Sequence, residues 1–507
     1  MKFVYTLVLS TIVLALQAQD RRDYQWIMGV DQQVGPEFKS YMFDFNNRPI
    51  TPELRDKGLG FDQNNVSISD REGRLLFYSN GCAIANRDHE IMENGEGINA
   101  GEFFDDFWFG GSCAIGYPGF QDILILEDPA IEKGYYVIHK RFERKNENSF
   151  DILNLTYSYV DLSVNSGLGV VVEKNIDFHT LESFLSSYLT AINKPNGEDW
   201  WVVNPGLDNK YYFFSIDNEG LQFSHTCDTD HLFNDRYSSA GGNAKFSPDG
   251  KYYAYFSEFD GLLLYNFDRE LGTLSDLRKL PVKVDDNVSF ATCEWSSDSR
   301  FLYLATSDSL WQVEVAYDNL EDGRVFIAEH NGVLDPISTR FFTSTLGPDC
   351  RIYIRPGSST NSFHVINHPN EKGVACDLVQ QGIRLPVTSE VGSFPNFPRF
   401  RVDEEDKCDP SLVSAFGEVV YYRRDLITYP NPVRDNLTIE LPEGIGDGHI
   451  YVLDMQGQMV HSQEVSVLKG SLQMSMAQLP VGMYSVEYVP RENKERVVYT
   501  NRVTRVD

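Results

Sequence analysis

Basic residues are few in this chain: 44 Lys and Arg stand against 74 Asp and Glu, a formal net charge of −30. Nucleic acid, whose phosphates need Lys and Arg, is not expected as a partner on that ground. The excess carboxylates read as a solvated surface that keeps the chain soluble. Cysteine is scarcer still, seven residues with none before Cys82. That gap argues against a lipid anchor on an N-terminal cysteine, and the lack of any Cys-x-x-Cys argues against a thiolate zinc site. The count is odd, so at least one thiol has no intramolecular partner. Cys376 and Cys408, which flank one closing segment, are the expected pair.

Catalytic signatures are missing as well. There is no Gly-x-Ser-x-Gly elbow, no His-Glu-x-x-His, no Walker A and no Gly-x-Gly-x-x-Gly behind a strand. His139, His179, His225, His231, His364 and His368 show no ligand spacing. No cofactor and no metal are expected. Carboxylates are plentiful, so a chance pair lining a channel could do glycosidase work.

Only one apolar run stands out. Lys2 precedes Phe3 to Leu16, followed by Gln17-Ala18-Gln19-Asp20. A basic start, an apolar stretch too short to span a membrane and a small residue make a signal peptide, with cleavage between Ala18 and Gln19. Nothing later is apolar enough to span a membrane, so the mature protein is expected to have no transmembrane segment.

Aromatic residues make up 13% of the chain, with 27 Tyr and 33 Phe, which suits β-structure. The body repeats one pattern: a strand, a turn of the Pro-Asp-Gly kind, and a second aromatic strand. The clearest copy runs from Asn243 through Ser247-Pro248-Asp249-Gly250 to Tyr255. Others centre on Asp298-Ser299, Asp349-Cys350, Glu72-Gly73, Lys133-Gly134 and Asn196-Gly197. The turn positions 73, 134, 197, 250, 299 and 350 are separated by 61, 63, 53, 49 and 51 residues. That period suits one four-stranded propeller blade. Ser299 and Cys350 stand where glycine would take φ > 0, so those two turns are expected to be strained or of another type. Trp200, Trp201, Trp295 and Trp311 read as blade core, with one ring of the Trp200-Trp201 pair left for the surface.

These phrases resemble WD40-like (PD40, TolB-type) propeller repeats, and several resemble a group of Bacteroidota surface proteins. Among them are Leu75-Leu76-Phe77-Tyr78-Ser79-Asn80-Gly81, Asp199-Trp200-Trp201-Val202-Val203 and Phe394-Pro395-Asn396-Phe397. The resemblance implies a β-propeller. Six units are visible, and a seventh can be built from Phe394 to Val402 beside Trp26 to Val30 and Tyr41 to Phe45. Seven blades is the expectation, six the alternative, and two sandwiched domains the plainer architecture. Asp403 to Asp409 breaks the pattern with charge and starts a linker.

The last residues form a separate all-β module. Pro430 and Pro432 around Asn431 favour an extended chain. Asp454-Met455-Gln456-Gly457 reads as a hairpin turn, and Leu479-Pro480-Val481-Gly482-Met483-Tyr484 as a break before a strand. Short alternating strands with such turns suggest a small Ig-like β-sandwich. The combination closely resembles the C-terminal sorting domain of the type IX (Por) secretion system of Bacteroidota. On that resemblance Pro430, Asn431, Pro432, Asp454, Gly457, Leu479, Gly482 and Tyr484 are the sorting-signal motif.

The organisation expected is a signal peptide over 1–18, a propeller over 19–402, an acidic linker over 403–426 and the sorting domain over 427–507. The resemblance implies handling by the type IX machinery and a final place outside the cell or on its outer surface, via the periplasm. The propeller is expected to bind protein or glycan partners without catalysis. The alternatives are a secreted hydrolase with its site at the channel mouth and a structural role in a surface layer.

Overall fold

Period-two runs closed by Asp, Gly and Pro turns commit nearly every segment of the body to antiparallel strands. In the computed structural model these strands gather into small sheets. The structure describes residues 19–30, 39–47, 50–55, 58–107, 113–147, 149–233, 241–282, 290–357, 359–389, 392–404, 407–408, 422–441, 447–453, 459–465, 470–490 and 497–506. The chain divides into two compact units between Phe416 and Gly417.

In the first unit, four sheets of four strands follow one another from Thr190 to Ser389. The eight-stranded sheet before them is two such units, Val66–Glu96 and Ile123–Thr180, joined along outer strands by a parallel contact of Glu93 with Val170. A three-stranded sheet, Gln25–Met28, Ser40–Asp44 and Pro52–Arg55, comes first. These are the seven blades of a β-propeller, numbered here in chain order. In blades 2 to 7 the first strand is innermost: Val66–Ser69, Ile123–Glu127, Thr190–Asn193, Gly242–Phe246, Ala291–Trp295 and Phe341–Leu346. Neighbouring inner strands are stitched by side chains. Asn243 of blade 5 donates to Cys293 O at 2.9 Å and accepts from Cys293 N at 2.8 Å in blade 6.

Each blade packs on both faces, so middle strands such as Phe301–Thr306 are buried at every position. This corrects the expectation for the tryptophan pair. Trp200 enters the core on one side of blade 4 and Trp201 the core on the other, and both are buried.

Blade 1 departs from the pattern. Ser67 donates to Gln25 O and Asn65 to Ile27 O, so Gln25–Met28 runs antiparallel to the inner strand of blade 2. It therefore holds a second-strand place. Residues 392–402 pass beside it, with Asn65 Nδ2 donating to Ser393 O at 3.2 Å as well as to Ile27 O. The two ends of the body do meet, but 392–402 forms no ladder with Trp26 to Val30. Its one bridge is Arg399 with Ile192 of blade 4. Aromatic packing ties blade 1 to blade 7 and to this segment, with Trp26 at 5.2 Å from Tyr353 of blade 7 and 5.4 Å from Phe394.

The repeat turns share one backbone. Gly73, Gly197 and Gly250 have φ of 85°, 76° and 69°, and Ser299 and Cys350 take the same left-handed region at 62° and 67°. A side chain held there costs about 1 kcal/mol. Both positions use it: Ser299 Oγ accepts from Asp249 N of blade 5 at 2.9 Å, and Cys350 is disulfide-bonded to Cys408. In blade 3 the left-handed residue is Lys133, one place before Gly134. The expected Cys376–Cys408 pair is thus corrected. Cys376 lies buried in the core with Tyr303, away from the turn that Cys408 reaches, and the second disulfide is Cys82–Cys113.

The second unit is a two-sheet sandwich. Five strands, ordered Tyr422–Asp425, Val497–Arg505, Gly482–Pro490, Gly448–Leu453 and Met459–Val465, face three, ordered Ile427–Tyr429, Asn436–Glu440 and Ser471–Ser475. Leu437, Ile439 and Met474 of the smaller sheet pack on Ile450, Val452 and Val486 of the larger.

Two outcomes are expected. The Cys350–Cys408 bond closes a separation of 58 residues, for which loop entropy gives about 4 kcal/mol. Cys408→Ser should lower the guanidinium midpoint accordingly; an unchanged midpoint would mean the bond contributes nothing. The second concerns Asp349, fully buried in the blade 7 turn and bonded by Tyr353 Oη at 2.7 Å. Burial raises its carboxyl to about 6. The folded state therefore holds this proton longer than the unfolded chain does. The stability it contributes is complete below pH 4 and is lost as pH rises through 6, roughly 3 kcal/mol. Asp349→Asn should flatten the stability profile between pH 4 and 7, and an unaltered profile would refute the assignment.

Candidate functional site

The propeller axis is where a ligand site is commonly sought, and here it is occupied by the protein's own chain. Residues 392–402 read Gly-Ser-Phe-Pro-Asn-Phe-Pro-Arg-Phe-Arg-Val. Pro395 and Pro398 hold the backbone extended and remove two ladder donors, so this segment cannot pair as a regular strand. It bonds one group at a time to the strands around it. Asn396 N donates to Asn65 O beside blade 2 at 2.8 Å, and its side-chain amide donates to Ile123 O of blade 3 and Leu189 O beside blade 4 at 2.9 and 3.0 Å. Arg399 donates from N to Ala191 O of blade 4 at 3.2 Å, from Nε to Phe246 O of blade 5 at 2.8 Å, and from Nη2 to Glu294 of blade 6 at 2.5 Å. Arg355 of blade 7 donates to Ser393 O at 3.2 Å. At Gly392 a Cβ would lie 2.2 Å from Asp62 O, so no side chain fits.

The exit is clasped by the start of the body. Arg401 grips both oxygens of Asp23 at 2.6 Å and donates to Asp20 O at 2.9 Å, while Asp20 N donates to Glu404 at 3.0 Å. Among the motif positions read as a cleavage site, Gln19 accepts from Tyr24 Oη at 3.2 Å, and Ala18 lies outside the described residues.

Glu294 is fully buried. Burial alone would raise its carboxyl, but Arg399 and Lys245 outweigh that and hold it below the usual range. Two small cavities flank the segment, each about 40 Å³. One lies among Gln121, Asn243, Thr292 and Phe394 under Phe120 and Phe290, whose rings meet at 5.1 Å. The other is lined by Asp23, Lys245, Arg399, Arg401 and Lys407. Such volumes hold a few waters, far below the several hundred Å³ of a small-molecule pocket. A hydrolase site at the channel would need more room. Asp23 and Glu294, two carboxylates beside this segment, are engaged by Arg401 and Arg399.

Four of the histidines singled out in the sequence are held by neighbours within their blades or the next one. His139 is buried between Asn99 at 2.6 Å and Ser158 at 3.0 Å, and burial pushes it down to about 3. Burial does the same to His364, also to about 3. His231 meets Asp260 at 2.9 Å and His225 meets Gly272 O at 3.0 Å.

In the sandwich, the described motif residues gather at one end. Pro430, Asn431 and Pro432 are exposed. The Asn431 side chain fixes them, accepting from Thr504 N at 2.9 Å and donating to Arg502 O at 2.7 Å. Gly482 opens a strand opposite Arg505, at the same end of the sheet. Tyr484 is buried and donates to Pro480 O at 2.7 Å, and Leu479 packs on the core. Asp454 and Gly457 lie outside the described residues. Reading the sequence missed Gln121, Lys245, Glu294 and Arg399. Pro395 and Pro398, closely spaced before Arg399, were the available signal.

Comparison with known proteins identifies the tail. Residues 428–499 match the secretion system C-terminal sorting domain. No curated protein matches the chain in sequence. Among solved structures the chain is similar to a periplasmic gluconolactonase of Pseudomonas aeruginosa, at 14% identity and a TM-score of 0.42, over 74% of this chain and 98% of that one. It is also similar to a functionally unknown protein of Desulfotomaculum acetoxidans, at 12% and 0.38 over 74% and 99%. The β-propeller domain of Myceliophteria thermophila Cps50 (Swd1) follows at 9% and 0.33 over 63% and 88%. The chain thus carries a secretion system C-terminal sorting domain at residues 428–499, behind a seven-bladed β-propeller.

Proposed function

We propose that this protein is cargo of the type IX secretion system, delivered to the cell surface or the extracellular space, where its propeller binds protein or glycan partners without catalysis. The observation that carries the reading is the sorting domain at 428–499. In this reading residues 1–18 direct passage across the inner membrane and are removed at Ala18–Gln19, and residues 403–426 link the propeller to its address. The exposed Pro430-Asn431-Pro432 corner, with Gly482 at the same end of the sandwich, is the surface offered to the secretion machinery. No helix among the described residues is long and apolar enough to cross a membrane. The filled channel favours recognition on the faces of the propeller over chemistry at its axis. No observation favours the hydrolase alternative.

Removing residues 427–507 should leave the protein in the periplasm; its appearance at the surface would refute the address. Asn431→Ala frees the Pro430–Pro432 corner and should cut surface delivery several-fold while leaving the propeller's melting temperature unchanged, as fractionation and calorimetry would read. Full-length protein on a glycan array and in pull-downs from surface extracts should retain specific partners. Turnover of peptide or polysaccharide substrates with none retained would favour the hydrolase.

A further inference from the structure

The cavity at the exit end of the channel has an unusual charge balance. Its wall holds four cations, Lys245, Arg399, Arg401 and Lys407, and one acid, Asp23. In a chain of net charge −30 this is a local reversal. Asp23 is committed to Arg401 through both oxygens at 2.6 Å. Lys407 donates to Val402 O and has Asp403, Asp249 and Glu404 in its surroundings. That leaves Lys245 and Arg399 with a single shared carboxylate, Glu294. Arg399 takes one oxygen at 2.5 Å, whereas Lys245 Nζ stands 3.6 Å from the other, beyond hydrogen-bond reach. Glu294 Oε2 accepts no hydrogen bond among the described residues. Two largely buried cations thus face one carboxylate, and a buried charge without its counter-charge is costly.

We propose that this cavity is a binding site for a small monoanion, of the size of chloride or formate, held by Lys245 and Arg399. The anion supplies the missing counter-charge on the axis, next to the segment that completes the ring. Lys245 is central because it borders both channel cavities. The volume of about 40 Å³ admits roughly three waters. Chloride, formate or acetate fit such a space; a sugar phosphate or a nucleotide does not. The competing state is a neutral Lys245. Burial, with Arg399 nearby, does lower its pKa, and a neutral lysine needs no anion.

The test uses the full chain. Its melting temperature is followed in sodium chloride and sodium formate against sodium gluconate, an anion too bulky for the cavity, at equal ionic strength. The proposal expects a saturable rise of several degrees with chloride and formate and none with gluconate. Lys245→Met should abolish the rise. Lys251→Met, at an exposed lysine of the blade 5 turn, should keep it. Should Lys245→Met fail to fold, crystals of the unaltered protein grown in sodium bromide decide: an anomalous peak is expected beside Lys245 Nζ and Arg399. Equal behaviour in chloride and gluconate, a rise that survives Lys245→Met, or water alone beside Lys245 in bromide would overturn the site.

Discussion

The hydrogen bonds of Asn396 and Arg399 are the contacts on which this propeller depends. Between them these two residues reach the inner strands of blades 2 to 6 or the residues beside them. A propeller must remove its open edge, and many do so by pairing the last strand with the first blade. That route is closed here because Pro395 and Pro398 cannot feed a ladder. The chain instead places 392–402 on the axis and bonds it outward. Each neutral bond adds about 1 kcal/mol net and the two from the Arg399 guanidinium somewhat more. Leaving their buried partners unsatisfied would cost more than forming them gains.

This closure fills the axis with the chain itself and leaves cavities of about 40 Å³ beside it, too small for a sugar or a peptide. Chain order matters too. The closing segment and Cys408 precede the second unit, so the propeller is complete without any residue of the sorting domain. Address and body are separable in sequence.

Six blades were legible because each repeats the same turn, and the turn is dictated locally: Asp caps its own backbone and Gly or a tolerated substitute takes the left-handed place. Blade 1 was legible only from its aromatic strands, since it has no such turn. Cys350 looked like a defective glycine; its bond to Cys408 joins residues that only the closed ring brings together. Trp201 looked available to solvent because period-two alternation assumes one wet face, whereas a blade has two dry ones. The sorting domain was readable because its chain breaks are set locally: Pro430 and Pro432 fix the backbone and Gly482 opens a strand. The Lys245–Glu294–Arg399 cluster was not, because its members are separated by 49 and 105 residues and meet only at the axis.

The most direct measurement of the central claim is amide hydrogen exchange on the intact protein, resolved to residues 392–402. If this segment completes the ring, the amides of Asn396 and Arg399 will exchange as slowly as that of Ala244 in the inner strand of blade 5. Exchange of both at the rate of surface loops, with Ala244 still protected, would mean that the ring closes without it.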